Sequence, residues 1–192
     1  QVTNASSGDR NVIMSRVRSL ASLAASVALP LGLGGLGAVA TTKALPEWYA
    51  NLAKPSWNPP PQVFGPVWTV LYTAMGLAAW LVWRRGSEAQ SSSERSVARG
   101  ALTVYAAQLA LNAIWSPVFF GLKRIDLALA VIVGMFVLIA ETIRRFYRVR
   151  PASAALLAPY LAWVAFATVL NWGIWRLNSG GYALRVERDV SL

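Results

Sequence analysis

The chain of 192 residues has no histidine, no cysteine and only eight acidic side chains. Without cysteine, disulfides and thiol chemistry are excluded. Without histidine, the commonest general base, the commonest haem ligand and most zinc sites are missing. Charge of either sign is scarce, at 14% of residues, where an ordinary soluble domain carries about 25%. What is present is apolar: 56% of residues are hydrophobic and the mean hydropathy is +0.45. This is the composition of an integral membrane protein. The net charge of +10 raises the question of nucleic acid. The basic residues sit between apolar blocks and form no stripe, so a nucleic-acid partner is not expected.

Five nearly uncharged blocks follow one another. They predict helices over about 19–42, 63–83, 99–120, 125–143 and 152–175. Each is close to the roughly 20 residues needed to cross a bilayer core. No block alternates with a period of two, which excludes a barrel. The expected fold is an all-α membrane protein, a bundle of five transmembrane helices spanning residues 19–178. A polar and basic extension, 1–18, precedes it, and a polar tail, 179–192, expected to be mobile, follows it. Met14, Arg16 and Arg18 followed by an apolar run resemble a signal peptide. The run is too long for a signal-peptide core, so a retained helix is expected. Arg10, Arg16, Arg18, Arg84, Arg85, Arg95, Arg99, Arg144, Arg145, Arg148 and Arg150 would share one side, against seven Lys/Arg on the other. The positive-inside rule then places the N-terminus in the cytoplasm.

Three helices carry side chains that suggest a site. On the third, Gln108, Asn112 and Trp115 recur at i, i+4 and i+7, and Ala106, Ala110 and Ala113 share the opposite face. Small residues allow close helix approach in lipid, within the chain or across a dimer. Amides in a span are costly unless they meet a partner or a cavity. The second helix offers Phe64, Trp68, Tyr72 and Met75, and the fifth Tyr160, Trp163, Ala167 and Leu170, with Asn171 beside them. Two readings stand open on spacing alone: a ligand cavity, or a buried aromatic core glued by amide hydrogen bonds. Trp80, Trp83 and Trp175 lie near span ends and suit an interfacial belt. Trp172 faces away from Trp163, toward lipid or a partner. Glu141, near the end of the fourth block, can pair with Arg144 or Arg145.

The segments "WYANLAKPSWNPP", "FGPVWTVLY", "QLALNAIWSPVFF" and "PYLAWVAFATVLNWGIWRLN" resemble the signatures of the TspO/translocator protein family, the tryptophan-rich sensory or peripheral-type benzodiazepine receptor-like proteins. The likeness runs from about Leu20 to Asn178, in order, through all five blocks. It implies a five-helix bundle that dimerises, with porphyrin or haem as ligand, sterol or another lipid in some members, and no required cofactor or metal. It implies a pocket drawn from Trp48, Tyr49, Trp57, Pro59, Phe64, Trp68, Asn112, Trp115, Trp163, Ala167 and Leu170. Tyr72 and Gln108 join them from the stripes above. Trp172 stands where the cholesterol motif of mammalian members has tyrosine, which counts against a sterol.

The segment "KPSWNPPPQVFGPVW", Lys54 to Trp68, then reads as a semi-rigid lid. Pro59, Pro60 and Pro61 fix φ and remove donors, so less ordering entropy is lost when the loop closes. Three function classes follow. The first is a tetrapyrrole-binding protein that senses, sequesters or moves its ligand. The second is a light- and oxygen-dependent porphyrin-degrading enzyme with Trp57 and Trp68 as candidate redox residues. The third is a secondary transporter or sterol binder. The absence of His, Cys and paired membrane carboxylates argues against conventional acid–base or metal catalysis. A bacterial cell membrane is the expected location, or an organelle membrane in a eukaryote.

Overall fold

The computed structural model describes residues 3–44 and 48–189. The outer ends of both predicted flanks, 1–2 and 190–192, lie outside the described residues. Five helices follow in order: α1 Thr3–Ala44, α2 Pro61–Ser87, α3 Ser92–Ser116, α4 Ile125–Val149 and α5 Pro151–Asp189. A π-helical turn, Pro117–Gly121, closes α3. All five helices are long and apolar enough to cross a membrane, and among the described residues there is no strand. The protein is an integral, multi-pass membrane protein of five-helix architecture.

The helices outrun the apolar blocks that announce them. Residues 3–18 continue α1, and α5 runs through Asp189, where a mobile tail was expected. A helix satisfies its backbone internally wherever it lies, so polar composition alone does not end one. The start of α3 is marked instead by chemistry: Ser91 accepts from the Glu94 N–H, and the Glu94 carboxylate reaches back to the Ser91 N–H, a capping box. That cap lies inside the serine-rich stretch between the second and third apolar blocks. Pro61 opens α2 at a first-turn position, where its missing N–H costs nothing.

Helix α4 packs between α3 and α5, while α2 touches α1, α3 and α5. Met75, Ile139, Phe146 and Tyr160 are wholly buried, and Ile132 and Met135 nearly so, at the centre of the packed core. Met75 therefore belongs to the core rather than to a cavity wall. At Gly76 a Cβ would lie 2.5 Å from the Ser26 carbonyl oxygen and the Val27 Cα. Glycine there lets the α1 and α2 backbones meet. Trp80 is not a belt residue. It is buried against α1, and its indole N–H donates to Ser22 Oγ at 3.1 Å. Trp83, Trp172 and Trp175 do face outward. Glu141 accepts from both Arg144 and Arg145 at 2.6 Å, as its spacing suggested.

Candidate functional site

One end of the bundle is hollow. A cavity of about 460 Å³ opens there, with walls from all five helices and the loop before α2. Phe64, Trp68 and Tyr72 come from α2, Asn112 and Trp115 from α3, and Trp163, Ala167, Leu170 and Asn171 from α5. Tyr49 and Pro59 form the loop side, with Pro61 at the start of α2. These include most residues expected from the stripes and the resemblance. The cavity size lies inside the range of about 300–1,000 Å³ typical of small-molecule sites.

Aromatic rings hold each other in place around the space. Trp68 stacks on Tyr72 with centroids 5.0 Å apart, and Trp115 on Phe119 at 5.1 Å. Phe64 meets Trp163 edge-on at 5.9 Å. Offset and edge contacts of this kind add to burial and restrict ring motion. The polar wall is tied down equally. Tyr72 Oη donates to Asn112 Oδ1 at 2.8 Å, Asn112 Nδ2 donates to Tyr160 Oη at 3.0 Å, and Tyr160 Oη donates to Gln108 Oε1 at 2.9 Å. Trp115 Nε1 donates to Asn171 Oδ1 at 3.2 Å, and Asn171 Nδ2 donates to the Ile125 carbonyl at 3.0 Å. The two open readings of the amides therefore combine: Asn112 is both interhelical link and cavity wall.

Three expected pocket residues stand back from the wall. Gln108 is buried beneath it, bonded to Tyr160. Trp48 packs edge-on against Phe119 at 5.7 Å. Trp57 is 47% exposed and leans on Phe166 at 5.7 Å. Each supports a lining element without bordering the space.

Other lining residues were not foreseen. Phe119 and Phe120 enter from the π-helical turn, and Ile132 and Met135 from α4. The motif "SPVFF" holds the signal for the first pair, because Pro117 interrupts α3 and redirects the chain. From α1 come Leu31, Gly34, Gly35, Thr41 and Thr42. A Cβ at Gly34 would collide with the Tyr72 ring. Glycine at that position thus sets where Tyr72 can stand.

The loop before α2 is fastened at several points. Lys54 Nζ donates to the carbonyls of Tyr49 at 2.7 Å, Leu52 at 2.8 Å and Ala50 at 3.1 Å. Tyr49 Oη donates to Asn58 Oδ1 at 3.1 Å. Burial raises the Tyr49 phenol above its ordinary pKa, with the Asn58 hydrogen bond offsetting part of the rise. From α5, Asn178 clasps Ala53: Oδ1 accepts from its N–H at 3.1 Å, and Nδ2 donates to its carbonyl at 2.9 Å. Gly173 on α5 allows the Pro55 ring to approach, 2.9 Å from where a Cβ would stand. No group of three or more His, Cys, Asp or Glu able to hold a metal exists among the described residues.

Comparisons with known proteins identify the family. The model of the TspO/MBR family matches residues 26–176. The human protein named "Translocator protein" is 47% identical over 134 residues, 70% of this chain and 76% of that one. The "Tryptophan-rich sensory protein" of Cereibacter sphaeroides is 46% identical over 149 residues, 76% of this chain and 88% of its own. The "Tryptophan-rich protein TspO" of Archaeoglobus fulgidus is 35% identical over 157 residues, 82% and 97% respectively. The matched span holds the residues from α2 to α5 that line the cavity, and the chain belongs to the TspO/MBR family.

Proposed function

We propose that this protein binds a tetrapyrrole, protoporphyrin IX or haem, in the cavity under the proline-rich loop, and senses, sequesters or moves it. The observation that carries this reading is the wall of Phe64, Trp68, Trp115 and Trp163 around about 460 Å³, with Asn112 and Tyr72 as its polar edge. Flat aromatic faces suit a flat conjugated ring, and a few fixed polar groups orient it. The names of the relatives, a translocator and a sensory protein, fit a ligand that is carried or signalled. The test is a dark titration of the purified protein with protoporphyrin IX, read by tryptophan fluorescence. Saturable quenching at micromolar affinity, about −8 kcal/mol, supports the reading. Non-saturable quenching, equal in a Trp68→Ala, Asn112→Ala double variant, refutes it.

A second reading rests on the Trp68–Tyr72 stack at 5.0 Å. A photo-excited porphyrin held there would take one electron from Trp68 and pass it to dioxygen; the superoxide so formed would add to the porphyrin and open the ring as the electron returns to the Trp68 radical, so that the net reaction joins one dioxygen to one porphyrin. Bleaching that needs light and oxygen and slows in Trp68→Phe, with binding kept, supports degradation. Bleaching at the rate of free porphyrin in detergent contradicts it.

Assembly and orientation belong to the same proposal. Ala106 and Ala110 are exposed on the chain's outer surface and Ala113 is half-buried, which leaves the alanine face available to a second copy. The excess of arginines at the end opposite the lid supports a cytoplasmic N-terminus, and the proposed location is a bacterial cell membrane.

A further inference from the structure

At the end of the bundle away from the lid, a groove of about 230 Å³ lies where α2 ends, α3 begins and α4 ends. Arg85, in the last turn of α2, and Arg148, in the last turn of α4, both line it. Most neighbouring arginines are engaged. Arg84 pairs with Glu88 at 2.8 Å, Arg144 and Arg145 share Glu141, and Arg95 donates to the Ala89 carbonyl at 2.9 Å. Arg85 and Arg148 form no salt bridge and no hydrogen bond among the described residues, although the charge of Arg85 also acts on Glu88. Glu94 also borders the groove, but its carboxylate is held by the Ser91 N–H at 3.5 Å and hydroxyl at 3.2 Å. The remaining wall joins Ser93 to the apolar side chains of Val97, Ala98 and Val149.

We propose that this groove binds the phosphate-bearing headgroup of an anionic membrane lipid, with Arg85 and Arg148 as the anion ligands. A guanidinium presents a planar fork that matches phosphate oxygens two at a time. Two such forks on different helices define a site rather than a diffuse positive surface. The groove sits where the apolar spans give way to charge, which is the depth of lipid phosphates. Val97, Ala98 and Val149 would face the glycerol and the first acyl carbons. Near this end of α2, Glu88 is held below its ordinary pKa first by the Arg84 hydrogen bond, with the charges of Arg84, Arg85 and Arg150 adding to it. The proposal is independent of what the main cavity binds.

The test uses the full chain in neutral detergent. Retention of phosphatidylglycerol is compared with that of phosphatidylcholine by native mass spectrometry, with inorganic phosphate as competitor. Wild type should prefer phosphatidylglycerol, and the preference should fall roughly five-fold for each arginine removed in Arg85→Gln and Arg148→Gln. Arg99→Gln, an exposed arginine outside the groove, should leave it unchanged. Circular dichroism melting of each variant checks that the bundle remains folded. Displacement of phosphatidylglycerol by millimolar phosphate, lost in the double variant, would keep the anion site and name free phosphate as its source. Equal retention of both lipids by wild type overturns the proposal. So does a preference that survives in the folded double variant.

Discussion

The two ends of this bundle are made from the same five helices, yet one is filled and the other is hollow. In the filled half, Met75, Ile139 and Phe146 are wholly buried and interlock with their neighbours, while Ile132 and Met135 sit where this core meets the cavity. In the hollow half, the neighbours are rings and prolines, together with a π-helical turn. Methionine adapts its shape to gaps, whereas indoles stacked on one another cannot fold into a space. Rigidity is therefore what keeps the cavity open. A preformed site of this kind loses little order when a ligand enters.

The largest effect should come from changing volume in the two halves separately. Ile139→Ala removes wholly buried atoms and should destabilise the bundle by about 2–4 kcal/mol, with ligand affinity nearly unchanged. Ala167→Phe fills hollow space instead. It should leave the melting temperature close to wild type while porphyrin affinity falls at least about ten-fold, since 1.4 kcal/mol is a factor of ten. Thermal melting and fluorescence titration of both variants check the pair. Equal stability losses would mean that the hollow half is packed as tightly as the other.

Next in size is the seam between the halves. Asn112→Leu removes the partner of Tyr72 and one partner of Tyr160. Stranding buried hydroxyls should cost about 1–3 kcal/mol, and binding should weaken as well, because Asn112 borders both regions. A change in only one of the two readouts would place Asn112 in one half alone.

A smaller effect is expected at the lid. Asn178→Ala breaks the clasp on Ala53 and should cost about 1 kcal/mol, the worth of an ordinary hydrogen bond. Stopped-flow kinetics should show the loss mainly as faster ligand release, with the core melting normally. Unchanged release would make the loop a passive connector.

The smallest effect concerns pH. The cavity's ionisable lining groups are Tyr49 and Tyr72, and phenols ordinarily titrate near 10. Affinity for an uncharged probe should stay flat between about pH 6 and 8. At the far end, the lowered pKa of Glu88 contributes stability above the ordinary carboxylate pKa, lost as pH falls through its folded value. Glu88 is exposed and its pair with Arg84 is solvent-screened. Glu88→Gln should therefore leave the melting curve unmoved near neutrality.

The spans were legible because arginines and lysines punctuate the apolar blocks, whereas the filled half was not, and Met75 was read into the site stripe. The α2 and α5 walls were legible because large aromatics recur at helical spacing. The α1 wall was not: Gly34 and Gly35 carry no chemical signal, and their meaning is the Tyr72 ring that approaches them. Trp80 was misread because its place near a span end suits an interface equally well, and only Ser22 across the α1 seam tells otherwise. Trp57 has the chemistry of a ligand face, but where its ring rests depends on Phe166 and Gly173, more than a hundred residues away. Helix ends were misplaced where polar sequence continues a hydrogen-bonded helix.

The most direct measurement is the dark titration of protoporphyrin IX onto wild type and Ala167→Phe side by side, followed through tryptophan fluorescence. Quenching that saturates at one porphyrin per chain in wild type, and becomes weak and linear in a variant of normal stability, is the expected result. Identical quenching curves for the two proteins would contradict a ligand site in the hollow half.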